Sequence, residues 1–186
     1  MNKLEEIYTA TYSGLTMYYR DTNLPEELIN RYKIDTIIRE ESYIAISYTA
    51  GGLTKSVRFA IASNKAKDMS LTVPQAAQFG AFSLEPNAYF KVLDLYQIDD
   101  QVQIFLLHFP EEHLEAFYGV KTNIEAQIIE KARKSFEEKV DAPFINIHLT
   151  EQWLGITQFP IGMNDSGHFI SVRELDQEKR KALFPQ

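Results

Sequence analysis

A chain of 186 residues, 45% hydrophobic and 24% charged, is sized and composed for one globular domain over 1–186, while a net charge of −7 argues against a nucleic-acid partner with a basic binding face. The absence of cysteine removes disulfides, thiolate metal sites and cysteine nucleophiles. Neither a run of about 18 apolar residues nor a signal-peptide pattern at the start is visible, so no membrane is expected and the expected location is cytoplasmic.

In chain order, Leu4, Ile7, Tyr8, Tyr12, Leu15, Tyr18 and Tyr19 fit one helical stripe, although the Thr- and Tyr-rich composition of that run also suits a strand. Asn23, Pro25, Glu26 and Glu27 read as the capped start of a short helix. "SYIAISYT" and "SVRFAIAS", separated by "AGGLTK", predict a hairpin near 42–63. A short helix around "VPQAAQF" follows. "AYFKVLDLYQI" and "QVQIFLLHF" predict a second hairpin near 89–109 that turns at Asp99-Asp100. Its second strand is apolar on both faces, as a central, doubly covered strand would be.

The spacing of Ile124, Ile128, Ala132, Phe136 and Val140 predicts a long helix near 122–140, opened by a Thr122/Glu125 capping box. "FINIHL", "WLGITQF" and "HFISV" read as strands of a third hairpin region near 144–172, and a polar helix from Arg173 to Leu183 closes the chain. Strands in runs with helices between them give an α+β fold: a largely antiparallel sheet packed against the long helix.

Several stretches imitate active sites. Asp165-Ser166-Gly167-His168 holds the residue types of a hydrolase triad, but neighbours in one segment diverge, and Asn-Asp-Ser-Gly is turn chemistry. In "HFPEEH" the histidines His108 and His113 stand five apart, which places them about 140° apart around a helix, and Pro110 leaves His108 on the preceding strand. "GGLTKS" lacks the Gly-Lys-Ser/Thr order of a phosphate loop and precedes a strand. "FEEKV" is a solvated face of the long helix. His148 shares a strand face with Asn146 in the expected "FINIHL" strand, and that face is either solvent or the polar wall of a cavity.

With no reactive constellation left, the expected function is a non-enzymatic, acidic protein-binding domain of inhibitor, immunity or adaptor type, with a protein partner and a homodimer through exposed strand edges as the associations to look for. The alternative is a small-molecule-binding protein or enzyme with an aromatic-lined pocket, to which His148, Asn146, Tyr96 and Glu112 would bring polar groups. No catalytic residue, metal or cofactor is assigned, and no motif carries a family resemblance.

Overall fold

The computed structural model describes residues 3–118 and 121–172. The chain forms helix α1 (Lys3–Tyr12), strand β1 (Thr16–Thr22), the one-turn helix α2 (Glu26–Ile29), and strands β2 (Ile37–Glu40), β3 (Ile44–Ser47), β4 (Val57–Ser63) and β5 (Lys67–Asp68). Strands β6 (Ala81–Leu84), β7 (Ala88–Ile98) and β8 (Gln101–Phe109) follow, then helices α3 (Leu114–Phe117), α4 (Asn123–Lys139) and α5 (Glu151–Thr157). The eight strands join one sheet in the order β2-β7-β8-β4-β1-β3-β6-β5. Only the β4–β8 pair is parallel among these strands. The α+β class and the largely antiparallel sheet match the sequence reading.

Local signals explain most boundaries. The ambiguous first segment holds both a helix and a strand, because Gly14 at φ 71° ends α1 and frees Tyr18 and Tyr19 for β1. Thr122 and Glu125 form the expected capping box of α4. Asp99, at φ 49°, opens the turn of the β7–β8 hairpin, and β8 lies between β7 and β4 with Gln103 to Leu107 buried. The expected Asn23 cap is not made. Pro25 takes that position, and the Asn23 side chain accepts the Ser56 N–H at 3.0 Å instead.

Two expected hairpins are replaced. Near 42–63, β3 and β4 are not neighbours, because β1 inserts between them. Gly51-Gly52 is not a tight turn but a close backbone crossing: a Cβ on Gly52 would stand 2.0 Å from the Ala142 carbonyl oxygen, and the Gly52 N–H bonds to the Pro143 carbonyl at 3.1 Å. Near 144–172, Asn146–Leu149 is a 3-10 turn and "WLGITQF" is largely α5. Trp153 and Thr157 are buried four residues apart, a helical period hidden inside a short apolar run. Pairing in this region is reduced to one bridge, Met163 with Phe169. The helix expected over 173–183 lies outside the described residues.

The two sheet faces are covered by different parts of the chain. Phe59, Phe90, Ile104 and Ile46 pack with Tyr32, Ile161 and Met163 on one face. On the other, Tyr89, Leu93, Phe105 and Leu107 meet Ala132 and Ile128 of α4. A bulge in β7 between Val92 and Asp94 breaks the two-residue alternation, so Lys91 and Asp94 both address α4. Each meets an opposite charge there. Lys91 Nζ lies 3.0 Å from both Glu125 oxygens, and Asp94 receives a two-pronged Arg133 fork at 2.6 and 2.7 Å. The charges on strand and helix run in complementary order, which fixes how α4 lies along β7.

Lys91 and Glu125 are both buried, so losing one partner is costly while replacing both is not. Glu125→Ala should lower unfolding free energy by roughly 3–5 kcal/mol in urea titration. The double variant Lys91→Met/Glu125→Leu should recover most of that loss. A Glu125→Ala loss below about 1 kcal/mol would remove this pair as the docking element.

Candidate functional site

β1 places unlike residues on its two faces. Tyr18 belongs to one core and Tyr19 to the other, so period two puts Arg20 and Thr22 with Tyr18, and Asp21 with Tyr19. On the first face no strand among the described residues continues the layer. Instead the segment after α5 is hung from side chains. Arg20 donates from Nε to the Thr157 carbonyl at 3.0 Å and from Nη2 to the Phe159 carbonyl at 2.7 Å. Thr22 Oγ1 donates to the Gln158 carbonyl at 2.8 Å. The Tyr32 hydroxyl reaches the Ile161 carbonyl at 2.7 Å, and the Gly162 N–H reaches Glu40 Oε2 at 2.8 Å. Gly162 adopts φ 81°, the left-handed region that glycine enters without strain.

Arg20 is buried, yet it forms no ion pair among the described residues. Burial pulls its guanidinium down to about 10, and the charge of Glu40 opposes that pull. Two of the five guanidinium N–H donors are spent on carbonyls, which leaves three without an acceptor among the described residues. Arg58, on the opposite face, is the contrast: it holds Asp21 through two bonds of 2.7 Å.

Arg20 and Glu40 line a cleft of about 520 Å³, between the β2–β3 turn and the segment carrying residues 156–167. This is within the range of roughly 300–1,000 Å³ of small-molecule sites. Tyr43 and Phe159 are 71% and 57% exposed, so their ring surface is open to an occupant. Glu40 is largely used: Oε1 takes the N–H and hydroxyl of Ser42 at 2.9 and 2.6 Å, and Oε2 takes Gly162. Asp165 is exposed on the same cleft.

Asp165 lies in the turn that resembled a triad. Asn164 Oδ1 accepts the N–H groups of Ser166 and His168, each at 3.0 Å, and Gly167 at φ 72° completes a three-residue loop. The segment is a turn, and among the described residues no hydrogen bond joins the Asp165, Ser166 and His168 side chains. Its contribution is to carry Asp165 to the cleft.

The four residues expected to provide polar groups sit on three separate elements. His148 and Asn146 fall in the 3-10 turn rather than a strand, where residues two apart are about 240° apart. Asn146 faces outward, and His148 faces inward to donate from Nε2 to the Phe79 carbonyl at 2.9 Å and to stack on Trp153 at 5.1 Å. His148 also lines a crevice on the other side of Arg20, with Tyr19, Asp21 and Lys55, that has room for little more than one water. The Tyr96 hydroxyl donates to Glu137 at 2.6 Å, beneath the Arg133 guanidinium. Glu112 is exposed in the short turn after β8. In "HFPEEH", His108 Nδ1 is 2.8 Å from Ser63 Oγ, and among the described residues no three His, Asp or Glu side chains are grouped to hold a metal. Sequence reasoning missed Arg20 and Glu40. The readable signal was a lone arginine inside a strand whose alternation points it inward, in "YYRDT".

No family model and no curated protein matches the chain. Solved structures do resemble it in part. The type III effector XopAI from Xanthomonas axonopodis pv. citri aligns at 17% identity and a TM-score of 0.43, over 54% of this chain and 46% of that one. The ADP-ribosyltransferase HopU1 of Pseudomonas syringae aligns at 15% identity and a TM-score of 0.45, over 51% and 45%. Exoenzyme S from Pseudomonas aeruginosa, in complex with human 14-3-3 protein beta and bound to carba-NAD, aligns at 11% identity and a TM-score of 0.45, over 68% and 63%. The chain thus spans less than half the length of XopAI and HopU1. Beside neighbours that include named ADP-ribosyltransferases, the expectation of a non-enzymatic protein-binding domain is corrected. The small-molecule or enzyme alternative goes forward on the geometry of the Arg20 cleft. Among the described residues no helix is long and apolar enough to cross a membrane.

Two stability effects follow. Burial, aided by the Lys65 charge, pushes the His108 imidazole from its ordinary 6.5 down to about 4. The unfolded chain therefore takes up a proton before the folded one does. Stability present above pH 6.5 should fall by up to about 3 kcal/mol as pH drops to 4. Urea midpoints measured across that range should flatten in His108→Leu. For His148→Ala, the lost hydrogen bond and ring stack should lower unfolding free energy by about 2 kcal/mol in the same assay.

Proposed function

We propose that this protein binds a small acidic molecule in the Arg20 cleft and is an enzyme acting on it, the cleft rather than a flat protein interface being its working site. The observation that carries this reading is Arg20: a buried guanidinium with three N–H donors left open and no ion pair in contact among the described residues, and a cleft of ligand size beside it. Burying an unpaired cation is expensive, and such groups in clefts are candidates for function. A carboxylate or phosphate would supply the missing partner and could take two of the N–H groups at once.

The other walls define the rest of the ligand. Tyr43 and Phe159 offer exposed ring surface, with Met163 and Leu28 as further apolar contacts, so a planar or apolar body fits next to the acidic head. Asp165 is placed to accept from a hydroxyl or amine on that body and is the side chain available for proton transfer. Glu40, already holding Ser42 and Gly162, shapes the cleft and balances the Arg20 charge.

The test uses native mass spectrometry and titration calorimetry with three probes sharing one ring: indole acetate, neutral indole and cationic tryptamine. NAD is added as a larger acidic probe, since the Exoenzyme S structure holds its carba analogue. Acidic probes should be retained in preference to indole and tryptamine. Arg20→Lys should weaken retention by roughly 10–100-fold. Tyr43→Ala should weaken it by roughly tenfold with no change in Tm, because that ring is mostly in solvent. Preference for tryptamine, or binding indifferent to Arg20→Lys, would sink the reading.

A further inference from the structure

A second cleft, sharing no lining residue with the Arg20 cleft, lies where the end of β8 meets the β6–β7 turn and the loop after β4. Its volume is about 270 Å³. We propose that it is a binding site for a small oxyanion, phosphate or carboxylate, held between the Lys65 ammonium, the His108 Nε2–H and the Asn87 side-chain amide.

The hydrogen bonds around His108 fit the tautomer protonated on Nε2. Ser63 Oγ accepts the Lys65 N–H at 3.1 Å, so its own hydrogen is free to point at His108 Nδ1, 2.8 Å away. Nδ1 then accepts and Nε2 carries the hydrogen. Nε2 has no partner among the described residues, and it is not sealed in either: it opens on the cleft. Ser63 is buried on β4, so the imidazole is held by a fixed hydroxyl and its second nitrogen is a prepositioned donor.

Two more donors converge on the same space. Asn87 gives its amide oxygen to Arg39 Nη2 at 2.6 Å, which leaves its NH2 group as the open end. Lys65 makes no ion pair among the described residues, and its charge is near enough to help push His108 down to about 4. At neutral pH the imidazole therefore offers an N–H without a charge, and Lys65 supplies the cation.

The carboxylates of the cleft already have partners. Glu85 is paired with Lys67, and Glu111 accepts the Tyr89 hydroxyl at 3.2 Å. Glu111 keeps its charge but has an oxygen engaged by Tyr89, while the open groups are donors and the Lys65 cation, the complement of an oxyanion. "HFPEEH" thus has a use that metal spacing did not reveal, in which His108 acts without His113.

The experiment follows the His108 ring by 1H–15N NMR in the full chain at neutral pH. Inorganic phosphate, sodium acetate and sodium chloride are titrated at matched ionic strength. A saturable shift of Nε2 with phosphate or acetate, and none with chloride, is the expected result; comparing the first two tells a phosphate site from a carboxylate site. The bound anion should also raise the pKa of His108, because it adds a negative charge beside the ring. Lys65 is exposed, so Lys65→Ala should fold normally and weaken binding by roughly tenfold, with Lys65→Arg retaining it. A shift that chloride reproduces, one that never saturates, or affinity unchanged in Lys65→Ala would overturn the site.

Discussion

The bonds that Arg20 and Thr22 give to three successive carbonyls, those of Thr157, Gln158 and Phe159, are what the candidate site depends on. A backbone segment that covers a sheet without joining it has no ladder to satisfy its carbonyls, and buried carbonyls left without donors are costly. β1 supplies the donors from its own side chains. The segment is then fixed farther along by Tyr32 and Glu40, and the space left between it and the β2–β3 turn is the cleft.

That arrangement gives Arg20 a double role. Three other buried charges have an opposite charge in contact: Lys91 with Glu125, Asp94 with Arg133, Arg58 with Asp21. Those pairs dock α4 on β7 and close the opposite face of β1, and they leave little charge for a ligand to exploit. Arg20 differs because its bonds go to neutral carbonyls. The carbonyls position the guanidinium without cancelling it, and nearby Glu40 offsets its charge without bonding to it.

Long, periodic elements were legible in the sequence. The α4 stripe with its Thr122/Glu125 box and the β7–β8 hairpin about Asp99-Asp100 were readable because each signal repeats over several turns or residues. Short elements were not. "FINIHL" and "WLGITQF" have too few residues to separate strand from helix by period, and the outcome was set by tertiary burial of Trp153 and Thr157. Pairing order was hidden as well: nothing local tells β3 and β4 that β1 will lie between them. The site suffered from the same limit. His148 attracted attention by residue type but is spent on the Phe79 carbonyl, whereas Arg20 gained its meaning from carbonyls more than a hundred residues away.

The parallel pairing of β4 with β8, from Val57 with Val102 to Ala62 with Leu107, also governs how the molecule comes together in time. A parallel neighbour cannot arrive by a hairpin, so the intervening chain must first be laid out and its loop closed. The centre of the sheet is therefore assembled from non-local contacts, and such pairing is slow to form. Until the β7–β8 hairpin docks, β4 keeps one edge uncapped, though all seven of its residues end up buried. The strand most deeply enclosed in the finished molecule is the one most exposed to misassociation while the molecule is being made.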